Sequence, residues 1–397
     1  MKKLNTRMTK IASICALTLL MTASGANAYD FEVNDTKVTV GGYVKLMMTY
    51  DTDGTVTAPF NGDLYNAYGT PIDGTKNAES TDLDFTARES RLFIKSSTET
   101  EYGTLSSHIE GDFFADIDAD SPTWSNSHGF RIRHAYMKLQ NGKNSLLAGQ
   151  TWTNFMDFAS SLPPMDFGAD PGSSFVRQAQ VKYQYDMRPG HNVSVSLENP
   201  TLGLCANWVN CGTATEDTLP DMVVKYFYAN KHFTFAPRVL LRRLEIDGQS
   251  EFAYGLAVGG SVNIGNGHKA VLTAMLGDGI GRYAGLGFNA GAGISKIDGK
   301  MDTLKYSSIN GGFSFAMTEN IDWTIGAGYS VQDDEGFDNG ILTEFANRNA
   351  FSWHTNLYWD ITKELQYAIG VTFGEAEIMS HAEGDMARYQ TYIRYSF

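Results

Sequence analysis

Cysteine, proline and long apolar runs are scarce in this chain of 397 residues. Three cysteines are too few to stabilise a chain of this length through disulfide bonds, so a protein built on a disulfide framework is excluded. The apolar stretch at residues 11–21 is too short to span a bilayer as a helix, and the low mean hydropathy excludes a bundle of membrane helices. Positive charge is also in short supply, with 31 basic against 45 acidic residues, which argues against a nucleic-acid partner.

Glycine and aromatic residues are plentiful by contrast. The chain contains 40 glycines, 23 phenylalanines, 20 tyrosines and 6 tryptophans. Aromatic side chains favour strands, and glycine supplies turns and positions of close backbone approach. The composition therefore predicts an extensive β-sheet, and its 42% of hydrophobic residues excludes a disordered protein.

The first 28 residues have the pattern of a cleaved secretory signal peptide. The segment begins with the basic residues Lys2, Lys3, Arg7 and Lys10. An apolar stretch at residues 11–21 follows, and Ala26, Asn27 and Ala28 provide the small residues of a cleavage site. The sequence thus predicts a signal peptide at 1–28 and a single exported domain at 29–397, in which 27 basic residues face 45 acidic ones.

Apolar and polar residues alternate with a period of two along the rest of the chain, which is typical of strands with one apolar face. Sixteen segments have this pattern: 38–50, 85–98, 104–114, 130–139, 145–152, 176–185, 192–198, 221–228, 232–244, 251–264, 269–276, 301–315, 321–330, 350–359, 365–376 and 387–397. The connections between them alternate between short and mostly long. That alternation is typical of a barrel in the outer membrane, whose strands cross with about 9 to 11 residues.

A soluble sandwich or propeller is the alternative for many short strands. In a soluble fold the exposed face would be highly charged, whereas here the polar faces carry mainly Ser, Thr, Asn, Gln and Gly with spaced arginines. The sequence therefore predicts an all-β fold, a 16-stranded antiparallel transmembrane β-barrel with a water-filled bore and both termini in the periplasm.

If the polar faces line the bore, more basic than acidic side chains point inward. The basic ones are Lys45, Arg91, Lys95, Arg131, Arg133, Lys182, Lys225, Arg238, Arg242, Lys269, Arg388 and Arg394. The acidic ones are Glu89, Glu110, Asp112, Glu198, Asp221, Asp302 and Asp322. A bore with this excess would concentrate small anions. Alternatively, the arginines only pair with wall carboxylates and make the wall rigid.

Two positions do not fit the alternation. With Arg131 and Arg133 facing the bore, His134 and Lys138 would face lipid. Lys138 lies next to a short turn, where its amine could reach water. For His134 the sequence leaves a β-bulge or a contact between subunits open.

The third long connection, 153–175, is too apolar for a solvated loop, since it contains Phe155, Met156, Phe158, Leu162, Met165 and Phe167. It is expected to fold inward and narrow the bore, placing Asp157, Asp166 and Asp170 opposite the wall arginines. Arg177 follows at the start of the next strand and is predicted to line the pore with them. The alternative is that the loop only packs as a lid.

Several segments together resemble the DcaP-like outer-membrane porins. They are Ser90-Arg91-Leu92, Ile109-Glu110-Gly111-Asp112-Phe113-Phe114, Arg131-Ile132-Arg133-His134-Ala135-Tyr136, Leu147-Ala148-Gly149-Gln150-Thr151-Trp152, Ser174-Phe175-Val176-Arg177-Gln178 and Gly277-Asp278-Gly279-Ile280-Gly281-Arg282-Tyr283. The resemblance implies a homotrimer of sixteen-stranded barrels for passive uptake of small anions such as dicarboxylates and aromatic acids. It also implies recognition of the terminal Phe397 by the barrel-assembly machinery, outer-membrane lipid and lipopolysaccharide as surroundings, and trimer contacts made by the barrel wall.

The sequence gives little support to dinucleotide binding, calcium binding or catalysis. Gly279–Ala284 formally fits a dinucleotide fingerprint, but the glycines that follow are incompatible with the required helix. Asp116, Asp118 and Asp120 begin like a calcium loop without its glycine and glutamate, which leaves only a loose divalent site open. No catalytic motif or metal-ligand spacing occurs, so neither an enzyme nor a cofactor or metal is expected.

Cys205 and Cys211 share one long outer loop around Trp208, and a disulfide between them would stabilise the loop by about 2 kcal/mol. A redox switch is the alternative for this pair.

The sequence thus predicts an outer-membrane porin for small, preferentially anionic solutes. A non-selective porin, an outer-membrane barrel enzyme and an adhesin or phage receptor remain as alternatives.

Overall fold

The computed structural model describes residues 28–56, 64–115, 126, 128–163, 165, 171–203, 205 and 207–397. Nearly all regular structure in these residues is β-sheet. The strands are β1 (Tyr29–Val33), β2 (Thr36–Thr52), β3 (Asp82–Thr86), β4 (Arg91–Thr100), β5 (Gly103–Ala115), β6 (Gly129–Asn141), β7 (Asn144–Trp152), β8 (Arg177–Arg188), β9 (His191–Glu198), β10 (Thr215–Glu216), β11 (Asp221–Ala229), β12 (Phe233–Ile246), β13 (Gln249–Gly265), β14 (His268–Asp278), β15 (Ala292–Ile294), β16 (Met301–Thr303), β17 (Lys305–Ala316), β18 (Ile321–Gln332), β19 (Asn347–Asp360), β20 (Leu365–Ile378) and β21 (Glu383–Ser396). The described residues also contain a short α-helix, α1 (Glu335–Asp338), in a loop.

Sixteen wall strands close into an antiparallel barrel, as the sequence predicts. β3 and β4 both pair with β2 and form one interrupted wall strand. β2 also pairs with the last strand, β21, in a register that runs from Tyr43 opposite Ser396 to Thr52 opposite Ala387. This pairing leaves no open edge between the first and last strands, as a wall in hydrocarbon requires.

Alternate residues of the wall face opposite environments. On β2, Val44 and Leu46 are 57% and 47% exposed, whereas Lys45 and Met47 between them are 3% and 0% exposed. The paired strand β21 has the same arrangement, with an exposed Tyr389 beside a buried Arg388. Because the outward set is apolar and the inward set largely polar, the wall separates hydrocarbon from an aqueous interior.

The connections alternate between tight turns at one end of the barrel and mostly long loops at the other, in agreement with the sequence. One connection at the long-loop end is nonetheless a two-residue turn, at Asp247 and Gly248. Both residues have positive φ, 50° and 75°, which matches the right-handed twist of the flanking strands. The Asp247 carboxylate also accepts hydrogen bonds from the Thr213 and Ala214 amides, which fixes the neighbouring loop to this turn.

Several elements differ from the sequence prediction. β1 pairs with the start of β2 as a short hairpin and was not predicted. The segment 301–315, predicted as one strand, is divided: β16 pairs with β15 in a separate two-stranded sheet, and the wall strand begins at Lys305. Asp302 therefore belongs to a loop sheet and not to the wall of the bore.

The irregularity at His134 is a β-bulge. The register between β5 and β6 shifts between Glu110 and Gly111, so that His134 lies opposite Glu110 and turns inward. Lys138 has the same parity as His134, and Met137 beside it is 59% exposed on the outer face. The expectation that Lys138 faces lipid is therefore wrong, because the bulge exchanges the two faces of the strand below it.

In the part of the chain that the structure describes, no helix is long and apolar enough to cross a membrane.

Candidate functional site: the bore and its constriction

The loop between β7 and β8 folds into the barrel, as predicted. Phe155 and Met165 are 0% and 1% exposed, although neither belongs to the wall. The wall holds the loop mainly by donating hydrogen bonds to its carbonyl oxygens: Arg238 to Phe155 (2.8 Å), Lys225 to Met156 (2.9 Å), Tyr358 to Pro163 (2.7 Å) and Lys45 to Met165 (3.1 Å). These donors lie on β12, β11, β19 and β2, so the constriction loop, residues 153–175, reaches strands on opposite sides of the bore.

Asp157 is the charged group of this loop whose surroundings the structure describes. Its carboxylate lies 3.1 Å from the Lys225 amine and accepts a hydrogen bond of 2.9 Å from the Ser160 hydroxyl. Burial opposes its ionisation, but Lys225 and Arg238 outweigh that effect and hold the pKa of Asp157 below its ordinary value. Asp157 is therefore a fixed negative charge in the constriction, whereas Asp166 and Asp170 lie outside the described residues.

A second loop, between β14 and β15, packs against the constriction loop at the long-loop end of the barrel. Tyr283 of this loop is fully buried, and its ring meets the Phe155 ring edge-on at 5.9 Å. The Tyr283 hydroxyl donates to the Asp221 carboxylate at 3.0 Å. Tyr283 belongs to an apolar cluster that also contains Tyr65 from the first long loop and Phe288. The sequence places Tyr283 in a family motif, but its glycine-rich surroundings have no periodicity that would predict a buried contact.

Arg242 fixes this second loop to the wall. Its guanidinium donates to Asp221 at 3.0 Å and to the carbonyl oxygens of Gly279 and Ile280 at 2.9 and 3.0 Å. Arg242 and Asp221 are both completely buried. Arg242 thus binds two carbonyl oxygens of the loop, and Tyr283 of the loop binds the Asp221 of the same pair. Arg242 therefore acts mainly as a positioning residue.

Part of the predicted basic wall forms ion pairs with wall carboxylates. Arg131 binds Asp112 through two hydrogen bonds of 3.0 and 2.9 Å, and Arg133 bridges Glu110 (2.8 Å) and Asp112 (2.9 Å). Arg91 lies 3.5 Å from Glu110. Lys45 likewise pairs with Glu89, and Arg388 binds Asp51 at 2.6 and 2.8 Å. At these positions the structure therefore has the alternative arrangement, in which basic residues pair with wall carboxylates and make the wall rigid.

Four other basic side chains of the bore form no ion pair with a wall carboxylate among the described residues. Arg238 donates to a main-chain carbonyl. Among the described residues, Lys182, Arg238, Lys269 and Arg394 have no carboxylate within 4 Å. Lys182 lies opposite the buried Ser196, and Lys269 shares the inward parity of the buried Val271. Lys95, half-buried, has its amine 4.5 Å from the centre of the Phe93 ring. The interior thus contains ion pairs between basic residues and wall carboxylates, together with additional positive charge.

Glu198, by contrast, is a buried carboxylate surrounded by neutral donors. It accepts hydrogen bonds from the Asn154 amide (2.8 Å), the Ser196 hydroxyl (2.6 Å) and the Gln178 amide. Because Asn154 follows the end of β7, this carboxylate anchors the point at which the constriction loop leaves the wall. The alternation gives Gln178 its face, but its partner depends on the fold of the loop.

Arg177 differs from its predicted place. It has the parity of Val181 and Tyr183, which are 51% and 46% exposed on the outer face, and its guanidinium stacks 4.6 Å from the centre of the Trp152 ring. The ladder between β6 and β7 ends at Ala135 and Gln150, because the chain turns inward after Trp152. This leaves a wall gap between residues 129–134 of β6 and the end of β7. Arg177 lies at the gap and not in the bore.

A cavity of about 360 Å³ occupies the wall gap. It is lined by Leu64, Arg131, Ile132, Gln150, Phe175, Arg177 and Leu286. Ile132 and Gln150 come from the outer face, whereas Leu64 and Leu286 belong to loops folded into the barrel. The cavity therefore lies within the thickness of the wall.

His134 lines the inner side of the same region. Its Nδ1 lies 2.9 Å from the Thr151 hydroxyl, and its ring stacks on His108 at 5.2 Å. Because this contact crosses from β6 to β7 above the last ladder pair, it joins the two strands where their main chains separate.

Cys205 and Cys211 form a disulfide in the loop between β9 and β10, with their Cα atoms 5.9 Å apart. Val209 within the ring forms a β-bridge with Leu342 of another outer loop. The pair therefore stabilises a packed contact between two outer loops. The acidic segment 116–120, where the sequence leaves a loose divalent site open, lies outside the described residues.

The model of the DcaP outer membrane protein family matches residues 14–397 of this chain. The outer membrane channel DcaP of Acinetobacter baumannii has a TM-score of 0.79 at 22% identity, with 92% of this chain and 99% of that chain covered. An anion-selective porin from Comamonas acidovorans has a TM-score of 0.58 at 13% identity, with 91% and 100% covered. The trimer form of OmpT from Vibrio cholerae has a TM-score of 0.58 at 11% identity, with 92% and 100% covered. A search of curated proteins found no match.

Proposed function

The chain belongs to the DcaP outer membrane protein family, and from this premise we propose that it is a homotrimeric diffusion channel with a preference for small anionic solutes. The outer-membrane location and the channel architecture follow from the family and the fold. The preference for anions, among them dicarboxylates and aromatic acids, is our proposal.

The observation that carries the proposal is the unequal pairing of charge in the bore. Glu110 and Asp112 are held by arginines, and Asp157 is held by Lys225. Lys182 and Lys269 point inward without a carboxylate within 4 Å among the described residues. A low-dielectric wall focuses the field of such charges, so anions are concentrated at the constriction and cations are repelled.

The fixed loops define how selection would work. A passing carboxylate exchanges part of its water shell for lysine and arginine donors, with no covalent step. The donors that hold the constriction loop use its carbonyl oxygens, so the loop keeps its position without neutralising all the bore's positive charge. An uncharged solute of the same size would gain no such interaction with the lysine and arginine donors. Selectivity would therefore depend on charge and size together.

The test is the reversal potential of single channels in a planar bilayer under a salt gradient. The wild type is expected to favour anions, and the double variant Lys182→Gln/Lys269→Gln is expected to move the potential towards the cation side. Arg243→Gln is the matched control, because Arg243 lies on the outer face opposite the exposed Phe252. A cation-selective wild type would refute the proposal. Equal liposome swelling by succinate and an uncharged solute of similar size would reduce it to a general pore.

Three further parts of the proposal concern assembly. Residues 1–28 are proposed as a cleaved signal peptide, which mass spectrometry of the mature chain would test through an N-terminus at Tyr29. Phe397 is proposed as the signal for the barrel-assembly machinery, and its main chain exchanges hydrogen bonds of 3.0 and 3.1 Å with Gly42. The outer face is proposed to contact lipid and lipopolysaccharide, except where subunits meet.

A further inference from the structure

Residues 64–71 of the first long loop, between β2 and β3, lie inside the barrel at its long-loop end. Tyr65 and Ala67 are both 0% exposed, although neither belongs to the wall. The loop is also fixed at its base, where the Gly54 amide donates a hydrogen bond of 3.1 Å to the Ser80 carbonyl. This part of the loop is therefore packed against protein and not spread over the outer surface.

Two glycines of the wall make room for the first loop. Gly374 on β20 and Gly384 on β21 are both buried on the inner face. A Cβ atom on Gly374 would overlap the Tyr65 hydroxyl oxygen, and one on Gly384 would overlap the Pro71 carbonyl oxygen. Neither glycine has a positive φ, so the close approach of the loop, and not the backbone conformation, requires glycine at both positions.

The second loop, between β14 and β15, meets the first loop inside the mouth. Its Phe288 ring lies edge-on to the Tyr68 ring at 5.0 Å and to the Tyr306 ring of β17 at 5.4 Å. The Asn289 side chain donates a hydrogen bond of 2.8 Å to the Asn347 carbonyl at the start of β19. The two loops thus form one packed layer that runs from β12 and β14 to β20 and β21.

Residues 64–71 and 280–289 together form a loop arch across one side of the mouth. One apolar cluster joins this arch to inward residues of the wall: Val223, Leu240, Ala257, Met275, Tyr306, Ala350 and Met386. These residues lie on strands from β11 to β21, and among the described residues β2 to β9 contribute none. Packed apolar side chains leave no water-filled path between them, so the open side of the mouth is the side of β4 to β9.

The exposure of the wall arginines agrees with this division of the mouth. The side chains of Arg91 on β4 and Arg131 on β6 are 13% and 23% exposed. On the covered side, those of Arg242 on β12 and Arg388 on β21 are 0% and 1% exposed. Water, and therefore a dissolved solute, reaches the guanidinium groups mainly on the side that the arch leaves open.

We propose that the loop arch sets the size limit of the channel at its outer mouth and directs solutes along the arginine side, β4 to β9. Tyr68 and Phe288 close the arch, and Gly374 is a positioning residue that lets the first loop reach its place. This inference rests on the diffusion of solutes through the bore, but it depends neither on the anion preference nor on the oligomeric state.

The test measures single-channel conductance and liposome swelling by the uncharged sugars arabinose, glucose and raffinose. Tyr68→Ala/Phe288→Ala removes the contact between the two loops. The control Ile297→Ala/Phe345→Ala removes two apolar side chains of outer loops that are 74% and 66% exposed. Heat-modified gel mobility verifies that each barrel is closed.

A second pair of variants tests how the first loop is seated. Gly374→Ala adds a Cβ atom that displaces Tyr65, so it should act in the same direction as the double variant. Gly370→Ala is the matched control on the same face of β20, because its Cβ atom would meet the Asn356 side chain of the wall and not a loop. Equal sugar uptake by folded Gly374→Ala and Gly370→Ala would refute the positioning role of Gly374.

The expected result is that Tyr68→Ala/Phe288→Ala conducts more current than wild type and admits raffinose severalfold faster relative to arabinose. Its reversal potential should also move towards zero, because solutes no longer have to pass the arginines. A wild type that admits raffinose as fast as the folded double variant would refute the arch as the size limit. An unchanged reversal potential together with faster raffinose uptake would refute its directing role.

The same measurements separate this inference from the proposed function, since uptake of uncharged sugars does not depend on the sign of the charge in the bore. A cation-selective wild type with faster raffinose uptake in the double variant would refute only the anion preference. An anion-selective wild type with unchanged sugar uptake in the folded double variant would refute only the role of the arch.

Discussion

Replacing Asp157 by Asn removes the one acidic charge of the constriction loop whose contacts are known, with little change of shape. At 3.1 Å and an effective dielectric constant of about 20, its attraction to Lys225 is about 5 kcal/mol. Breaking a buried pair typically costs about 3 to 5 kcal/mol, because the remaining charge keeps its desolvation penalty. The amide can still accept the Ser160 hydroxyl bond, so the loss should be mainly electrostatic.

Two consequences follow for the channel. Lys225 and Arg238 lose the charge that offsets them, so the reversal potential should move further towards the anion side. The loop also loses one fixed point, which should increase open-channel current noise. Planar-bilayer recording at pH 7 measures both quantities. Asp298→Asn, on an exposed loop outside the bore, is the control and should leave both unchanged.

The effect of Asp157→Asn on the reversal potential should depend on pH, in a direction set by the pKa of Asp157. Because the pKa of Asp157 is lowered in the folded protein, its contribution is fully present above about pH 4 and is lost as the pH falls through the lowered value. The difference between wild type and Asp157→Asn should therefore persist at pH 5 and shrink only in stronger acid. An unchanged reversal potential at pH 7, or a shift towards cations, would refute this account of the constriction.

Three further predictions concern the wall and the loops. Arg388→Met should lower the free energy of unfolding by about 3 to 5 kcal/mol, because it leaves the buried Asp51 without its partner; urea titration followed by gel mobility measures this, and a loss below about 1 kcal/mol would contradict it. Cys205→Ser/Cys211→Ser should destabilise the outer loop by about 2 kcal/mol and speed its proteolysis while the barrel's own unfolding midpoint stays constant. Tyr283→Phe should weaken the attachment of the second loop by about 1 kcal/mol, because the hydrogen bond to Asp221 is lost. The measurement is the open-channel current noise, which should increase. Unchanged current noise would indicate that Arg242 alone holds the loop.

The wall could be predicted from the sequence because each strand repeats one physical contrast. Val44 and Lys45 must face different media whatever lies next to them, so a period of two gives both the strand and its faces. The apolar content of 153–175 predicted its burial for the same reason. These inferences need only the composition of a short segment.

The pairings needed information that alternation does not contain. A period of two assigns a face but not the offset between strands, so Arg388 opposite Asp51 could not be derived. The bulge before His134 changes the face of Lys138, and no glycine or proline of β6 marks it, although Gly111 lies opposite on β5. The prediction that Arg177 lines the pore neglects the alternation of its own strand, in which residue 177 has the parity opposite to the inward Lys182. Its position at the wall gap depends on the path of the preceding loop, which the alternation does not contain.

The joint between β2 and β21 has a consequence for how the cylinder forms. Arg388 and Asp51, which bridge it, are 337 positions apart, and Gly42 and Phe397 are farther apart still, so closing this joint carries a large cost in chain entropy. Until it is made, two long strand edges are available to any other extended polypeptide. Biogenesis thus depends on shielding a nascent sheet until its two margins meet, and a weakened joint should raise the yield of misassembled, cross-paired chains before it alters the finished pore.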